Sequence, residues 1–325
     1  MENTKQQRLL EIFFRSLRGE DLSVRKLAAE YSVSAKSISR DISGLKNFLA
    51  DHRELVGNTE LEYSNRDKCY RLYMEEFLSG RELFALIEIM IGARALSRDE
   101  LLTVVDKLKK FTAKEDRAKL NALIAKELYH YAEVKRDCES VQAAIWKLAD
   151  CITEKKEITI EYYRMDRAYR THRVLPASLM FADHYFYLIA FIAGGGQSGP
   201  TYFRADRIRR IIEHRTKTYD GPEQEFDEGL LRKRSLYMWP GKLRTVRFEF
   251  SGPSLQAVLD KLPTAKVIER NGGGKYTVEA EVYGDGIKMW LLSQGRWVKV
   301  ISPHEFAEEM KNEIAAMSAR YERQG

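Results

Sequence analysis

The sequence predicts an α+β protein of several modules: an N-terminal winged helix-turn-helix, a helical linker, a small β-barrel and a ferredoxin-like C-terminal domain. Three observations carry this. Apolar residues repeat at helical spacing from Leu9 to Leu49 and again from Leu83 to Leu148. At Lys156 the period changes to two. From Leu243 the order of elements reads β-α-β-β-α-β.

Residues 1–75 form the first module. Leu9, Leu10, Ile12, Phe13 and Leu17 make an amphipathic helix over 4–18, ended by Gly19. Ser23 caps a short second helix and Ser34 a third. In the third, Ile38, Ile42, Leu45 and Leu49 share one face at spacings of four, three and four. Lys36, Arg40, Ser43 and Asn47 fall opposite, with Ser37 and Ser39 flanking them. That outer face is small, polar and cationic. The small hydroxyls of Ser34, Ser37, Ser39 and Ser43 let such a helix approach a major groove, and Lys36 and Arg40 reach phosphates or guanine edges. The segment TELEYSNRDKCYRLY that follows reads as a β-hairpin, a wing whose tip offers Arg66 and Lys68 to phosphate.

Residues 76–150 are helical. Leu83, Leu86, Ile87, Met90 and Ile91 make one stripe, Leu101, Val104, Val105, Leu108 and Phe111 a second, and Val141, Ile145 and Leu148 a third. Leftover apolar faces and zero net charge suit a linker that also forms a homodimer seam. Residues 151–218 alternate: KEITIEYYR, THRVLPASLMF, HYFYLIAFIA and GPTYFRADRIRRIIEH are strands, with the turn AGGGQSG between the last two. Short strands joined by tight turns suggest a barrel. Residues 219–242 are a connector. Residues 243–325 give strand LRTVRFEF, helix 253–262, hairpin KVIER–NGGG–KYTVEAEV, helix 285–292, strand RWVKVISP and helix 304–321.

Charge sharpens the reading. The chain has 54 basic and 48 acidic residues, a net of +6, yet 151–218 alone holds 12 basic against 7 acidic. A nearly neutral chain with one cationic module points to a site for an anion rather than general polyanion binding. Arg204 and Arg207 offer planar forks to phosphate. Tyr162, Tyr185 and Tyr187 offer rings on which a base can stack. With 44% hydrophobic and 31% charged residues the chain is not of disordered composition. Cys69, Cys138 and Cys151 are too few for a disulfide framework or zinc knuckle, so no metal or cofactor is expected. No apolar run spans a membrane, and MENTKQQRLL lacks a signal-peptide core, so a cytoplasmic protein is expected. NGGGKYT lacks the Lys-Ser/Thr pair of a phosphate loop, no nucleophile elbow is present, and the histidines have no metal-ligand spacing. No catalytic residue, and no enzyme, is expected.

Residues 33–41, VSAKSISRD, resemble the corresponding run of winged helix-turn-helix repressors, with Ser39 where an Arg is common. Ile160-Glu161-Tyr162, HRVLP at 172–176, Phe186-Tyr187-Leu188 and Phe203-Arg204-Ala205-Asp206-Arg207-Ile208 resemble the WYL domain, an Sm-like β-barrel of bacterial transcription regulators. Phe186 replaces the Trp, and His172 occupies the register where an Arg often sits, with Arg173 beside it on the opposite strand face. GDGIKMWLLSQGRWVKVISPHEFAEEM resembles the WCX extension that follows many WYL domains. The resemblance implies a homodimeric regulator that binds a double-stranded operator and senses an anionic effector, a nucleic-acid fragment or nucleotide, through its WYL domain. Tyr162, His172, Arg173, Tyr185, Tyr187, Arg204 and Arg207 are the effector-binding candidates. An accessory module that modulates another nucleic-acid enzyme is the second reading.

Overall fold

Thr4 and Gln7 close a capping box at the start of α1 (Lys5–Leu17): each accepts through its side chain from the other's backbone N–H. A second helix, α2 (Val24–Glu30), and a third, α3 (Ala35–Asp51), follow. The Ser34 hydroxyl accepts from the Ser37 N–H and caps α3. Ser23 sits at the cap position of α2, but its side chain makes no capping bond, contrary to expectation. The computed structural model describes residues 4–74, 78–110, 112, 114–194, 199–218 and 227–322, without the side chains of 114, 115 and 215–218. It divides into two units, Met1–Val134 and Lys135–Gly325. Phe111, residues 195–198 of the glycine turn and residues 219–226 of the connector lie outside the described residues.

In the first unit α3 turns Ile38, Ile42 and Leu49 into a core with Ile12, Leu22, Leu27 and Leu61, and Leu45 packs at its margin. The four-three-four spacing therefore does the work expected of it. A short α4 (Arg53–Val56) leads to the antiparallel hairpin β1 (Thr59–Ser64) and β2 (Cys69–Met74). Leu22 pairs with Tyr70 in an added bridge, so the α1–α2 connection is sewn to the hairpin. Across this core Arg8 of α1 donates through Nε to Asp41 Oδ2 of α3 at 2.7 Å, and both residues are buried.

Ser79–Glu82 and Ser97–Glu100 capping boxes open α5 (Gly80–Ala93) and α6 (Arg98–Lys109). With α7 (Lys114–Tyr129) they bury Leu83, Ile87, Ile91, Leu101, Val105, Leu120 and Ile124 together. Leu86, read as part of the first stripe, is exposed. The Arg117 guanidinium donates to the carbonyls of Arg18, Lys109, Lys110 and Thr112 at 3.0–3.3 Å. It satisfies orphan carbonyls at the ends of α1 and α6 at once.

The second unit begins with α8 (Val141–Thr153), whose Leu148 and Cys151 pack on a five-stranded antiparallel sheet. Its strands are β3 (Lys156–Tyr163), β4 (Tyr169–Ala182), β5 (Tyr185–Ile192), β6 (Thr201–Arg204) and β7 (Ile208–Thr218), in the order β6-β5-β4-β3-β7. They do not form the expected barrel. A single 3₁₀ turn, Ala205–Arg207, sends the chain from β6 at one edge to β7 at the other. Among the described residues β6 pairs with β5 and β7 with β3, so the sheet stays open. Pro176 lies inside β4 without an N–H to give, and the β4–β5 register shifts between Pro176 and Ser178.

A helix α9 (Glu228–Arg234) follows. The final module holds β8 (Leu243–Phe250), α10 (Leu255–Lys261), β9 (Lys266–Arg270), β10 (Tyr276–Tyr283), α11 (Gly286–Ser293), β11 (Val298–Ser302) and α12 (His304–Glu322). Its antiparallel sheet runs β11-β8-β10-β9, with β10 between β8 and β9, the strand order of a ferredoxin-like split unit. Val246, Phe248, Val278, Ile287, Trp290 and Phe306 form its core. The backbone at Leu236 lies directly against Gly286: a Cβ there would stand 2.0 Å from the Leu236 carbonyl oxygen. Gly286→Ala must therefore push residues 236–239 off the module. The expected cost is about 2–3 kcal/mol in urea unfolding of the second unit; a loss below about 0.5 kcal/mol would show that this backbone yields freely.

Candidate functional site

The outer face of α3 is as open as the wheel implies. Lys36, Ser39, Arg40, Ser43 and Asn47 are exposed and hold no partner among the described residues. Ser34 and Ser37 are occupied, their hydroxyl oxygens 2.9 Å apart as part of the cap. Asp41, next to Arg40, points inward to Arg8. At the hairpin tip Arg66 and Lys68 are exposed, and Lys68 takes the left-handed conformation (φ 54°) that closes the turn. Asp67 is held by Ser64 and Arg71.

In the second unit some cations are engaged by a carboxylate and others are not. Lys147 and Lys156 both reach Glu213, whose carboxyl their hydrogen bonds hold down to about 2. Arg173 pairs with Glu157. Arg204 makes a two-pronged bond to Asp206, Nε to Oδ1 at 3.0 Å and Nη2 to Oδ2 at 2.7 Å. Its guanidinium carbon lies 3.4 Å from the centre of the Tyr185 ring, and its backbone N–H donates to Tyr162 Oη at 3.3 Å. Tyr187, facing the same cluster, has its hydroxyl pushed up to about 12 by burial.

Four arginines belong to the others. Arg164 and Arg167 sit on the β3–β4 turn, which is tightened by the Arg167 N–H donating to the Arg164 carbonyl and by Asp166 Oδ1 accepting from the Ala168 N–H. Arg207 and Arg209 come from the other end of the sheet fold. Because Tyr162 pairs with Ile208, β7 brings them beside that turn. The four arginines, with Tyr163, Met165 and Asp137, line a cavity of about 430 Å³. No carboxylate lies within ion-pair distance of any of the four among the described residues.

A family model described as the WYL domain matches residues 143–212, and one described as the WCX domain matches residues 242–318. The chain carries a WYL domain followed by a WCX domain. Two solved structures align along nearly all of it. Proteasome accessory factor B/C (PafBC) of Arthrobacter aurescens is 16% identical with a TM-score of 0.33, covering 98% of this chain and 49% of that one. A CRISPR Cas-related protein is 16% identical with a TM-score of 0.40, covering 97% and 86%. The chain thus spans about half the length of the accessory factor. No curated protein matches it. No helix among the described residues is long and apolar enough to cross a membrane.

The WYL-domain residues named from sequence do not gather in one place. Tyr185, Tyr187 and Arg204 form one cluster, to which Tyr162 is tied by its hydroxyl. Tyr162 itself is buried, edge-on to Phe203 at 5.2 Å. His172 lies against the same Phe203 ring at 5.2 Å. Arg173, on the opposite strand face, is engaged by Glu157, and Arg207 belongs to the cavity. Sequence reasoning missed Arg164, Arg167 and Arg209. The +5 balance of 151–218 was their signal, but only the β3–β7 register shows which arginines meet.

His172 in the WYL domain is held below the ordinary imidazole value of 6.5, first by burial and then by Arg164 and Arg170. The fold therefore prefers the neutral ring. Its contribution to stability is complete above pH 6.5 and is lost as pH falls from there through the lower value of the folded state. The thermal midpoint of the second unit should drop between pH 7.5 and 5.5, and His172→Phe should flatten that drop; an equal slope in both proteins would place the linkage elsewhere.

Proposed function

We propose that this chain is a cytoplasmic, homodimeric transcription regulator that binds duplex DNA through α3 and the β1–β2 hairpin, as a winged helix-turn-helix, and senses an anionic effector in its WYL domain, with nucleic acid or nucleotide as the ligand class. The open sheet would be this chain's form of the Sm-like WYL fold. The observation that carries the reading is the convergence of four arginines on one cavity, none of them in an ion pair among the described residues and with only one acid, Asp137, beside them in its lining. Like charges held together repel, and Arg173 and Arg204 of the same domain are already engaged by Glu157 and Asp206. Such a cavity gains most from a multiply charged anion with planar-fork acceptors. The α3 face supplies the other half: small exposed side chains flanked by Lys36 and Arg40, on a helix whose inner face is fully committed to the core.

For the effector to regulate, it must bind the DNA-competent and DNA-free states with different affinity. The test therefore measures both ends. Arg40→Ala should weaken binding to a footprinted operator about tenfold or more at matched salt, with thermal stability unchanged. Single-stranded oligonucleotide should bind the wild-type WYL domain, in the full chain, and shift operator affinity. Undiminished operator binding by Arg40→Ala would remove α3 from the groove. A chain that holds single strands but gives no duplex footprint would instead be an accessory nucleic-acid module.

A further inference from the structure

We propose that the arginine cavity of the WYL domain is an end site: it takes a phosphate monoester at a chain terminus, or an equally compact polyphosphate, in preference to the phosphodiester backbone of a strand. This rests on the reading that the WYL domain binds an anion and adds what kind.

The argument is one of charge against volume. Arg164, Arg167, Arg207 and Arg209 share the cavity lining with one acid, Asp137, a balance of three positive charges in about 430 Å³. That is near the small end of ligand pockets, which run from about 300 to 1,000 Å³. A strand passing through carries one charge per nucleotide, so a pocket of this size receives one or two charges from it. A terminal monoester carries about −1.5 to −2 at neutral pH with three strong acceptor oxygens. With the next diester it supplies about three charges within one nucleotide's length, and the balance closes. A di- or triphosphate does the same.

The geometry agrees. Two of the forks come from one tight turn, in which Arg164 and Arg167 are joined by a 3.0 Å backbone hydrogen bond and Arg167 has a φ of 60°. The other two flank the start of β7: Arg207 ends the 3₁₀ turn and Arg209 is the second residue of the strand. Asp166, the acid nearest in sequence, is turned to the Ala168 N–H at 2.9 Å. Tyr163 forms part of the wall, its ring 5.4 Å from that of Tyr169. One half-buried aromatic side chain in the wall suits one terminal base better than a continuous stack.

The test uses the full chain and fluorescence anisotropy. One ten-nucleotide single strand is compared with a 5′-phosphate and with a 5′-hydroxyl, beside a labelled nucleoside triphosphate, each with and without competing pyrophosphate. The 5′-phosphorylated strand is expected to bind at least tenfold more tightly than its hydroxyl twin. The double variant Arg164→Gln/Arg167→Gln, at the exposed turn, should abolish that preference. Lys266→Gln/Lys299→Gln removes an equal charge at exposed positions of the C-terminal module, outside the cavity, and should retain it; thermal melts verify that all are folded. Equal affinity for the two strands would overturn the end site while leaving an anion-sensing WYL domain in place. Binding of the triphosphate alone, displaced by pyrophosphate and lost in the double variant, would support the same chemistry with a free nucleotide as its source. If no probe binds, both the end site and the anion-sensor reading fall.

Discussion

Asp41→Ala is expected to destabilise the N-terminal unit by about 3–5 kcal/mol, a cost typical of removing one partner from a buried ion pair. Asp41 is 2% exposed and Arg8 8%, and they meet at 2.7 Å across the α1–α3 contact. Alanine leaves a guanidinium in the core with neither water nor a counter-charge. The loss should be read on the transition of the N-terminal unit, for example by hydrogen exchange of α1 and α3 amides in guanidinium chloride. Arg8→Met/Asp41→Leu should recover most of it, because two apolar side chains remove the uncompensated charge. A loss under about 1 kcal/mol for Asp41→Ala would mean that water enters the pair and that α3 is aimed by the apolar contacts alone. Operator binding gives a second readout. Asp41 is buried and engaged by Arg8, so any loss of DNA affinity should follow the unfolded fraction, whereas Arg40→Ala should lose affinity in a fully folded protein. Two neighbouring residues thus separate aiming the helix from using it.

How legible these features are in sequence depends on how local their causes are. The α3 faces are set by 3.6-residue periodicity, and Ile38, Ile42, Leu45 and Leu49 suffice to read them. The C-terminal strand order follows from element order and short connections, and it stands as read. The barrel does not, because alternation reports which face of a strand is buried and nothing about whether the edges meet. Here the edge strands β6 and β7 pair only with β5 and β3 among the described residues, which leaves the sheet open. The cavity is non-local in the same way: Arg164 and Arg167 lie some forty residues before Arg207 and Arg209, and only the β3–β7 register joins them. The Ser23 cap failed on a finer scale, since a hydroxyl at the right position still needs the rotamer that reaches back to the helix. Arg204 marks the subtlest limit. Its charge and its neighbours Tyr185 and Tyr187 are those of a phosphate-binding residue, yet the acid two positions later already fills its fork.

That contrast yields the second large effect. Asp206→Ala is expected to destabilise the second unit by about 3 kcal/mol and to leave anion affinity at or below the wild-type level. Asp206 is 4% exposed, and the Arg204 side chain it holds is 15% exposed. Without the carboxylate, Arg204 keeps only the Tyr185 ring, a contact worth about 0.5–2 kcal/mol. The corner from β6 into the 3₁₀ turn then loses its tie, and with it the placement of Arg207, the next residue in the chain and a wall of the cavity. On this account Arg204 organises the effector site from behind. The opposite account, in which Arg204 itself grips the effector, gives the opposite sign: deleting its intramolecular competitor would free the fork and raise affinity. Denaturant unfolding and anion titration of the same variant decide between them, because a folded Asp206→Ala protein that binds the anion more tightly would make Asp206 a gate rather than a brace. Arg204→Ala alone cannot decide it, since both accounts have it lose effector response.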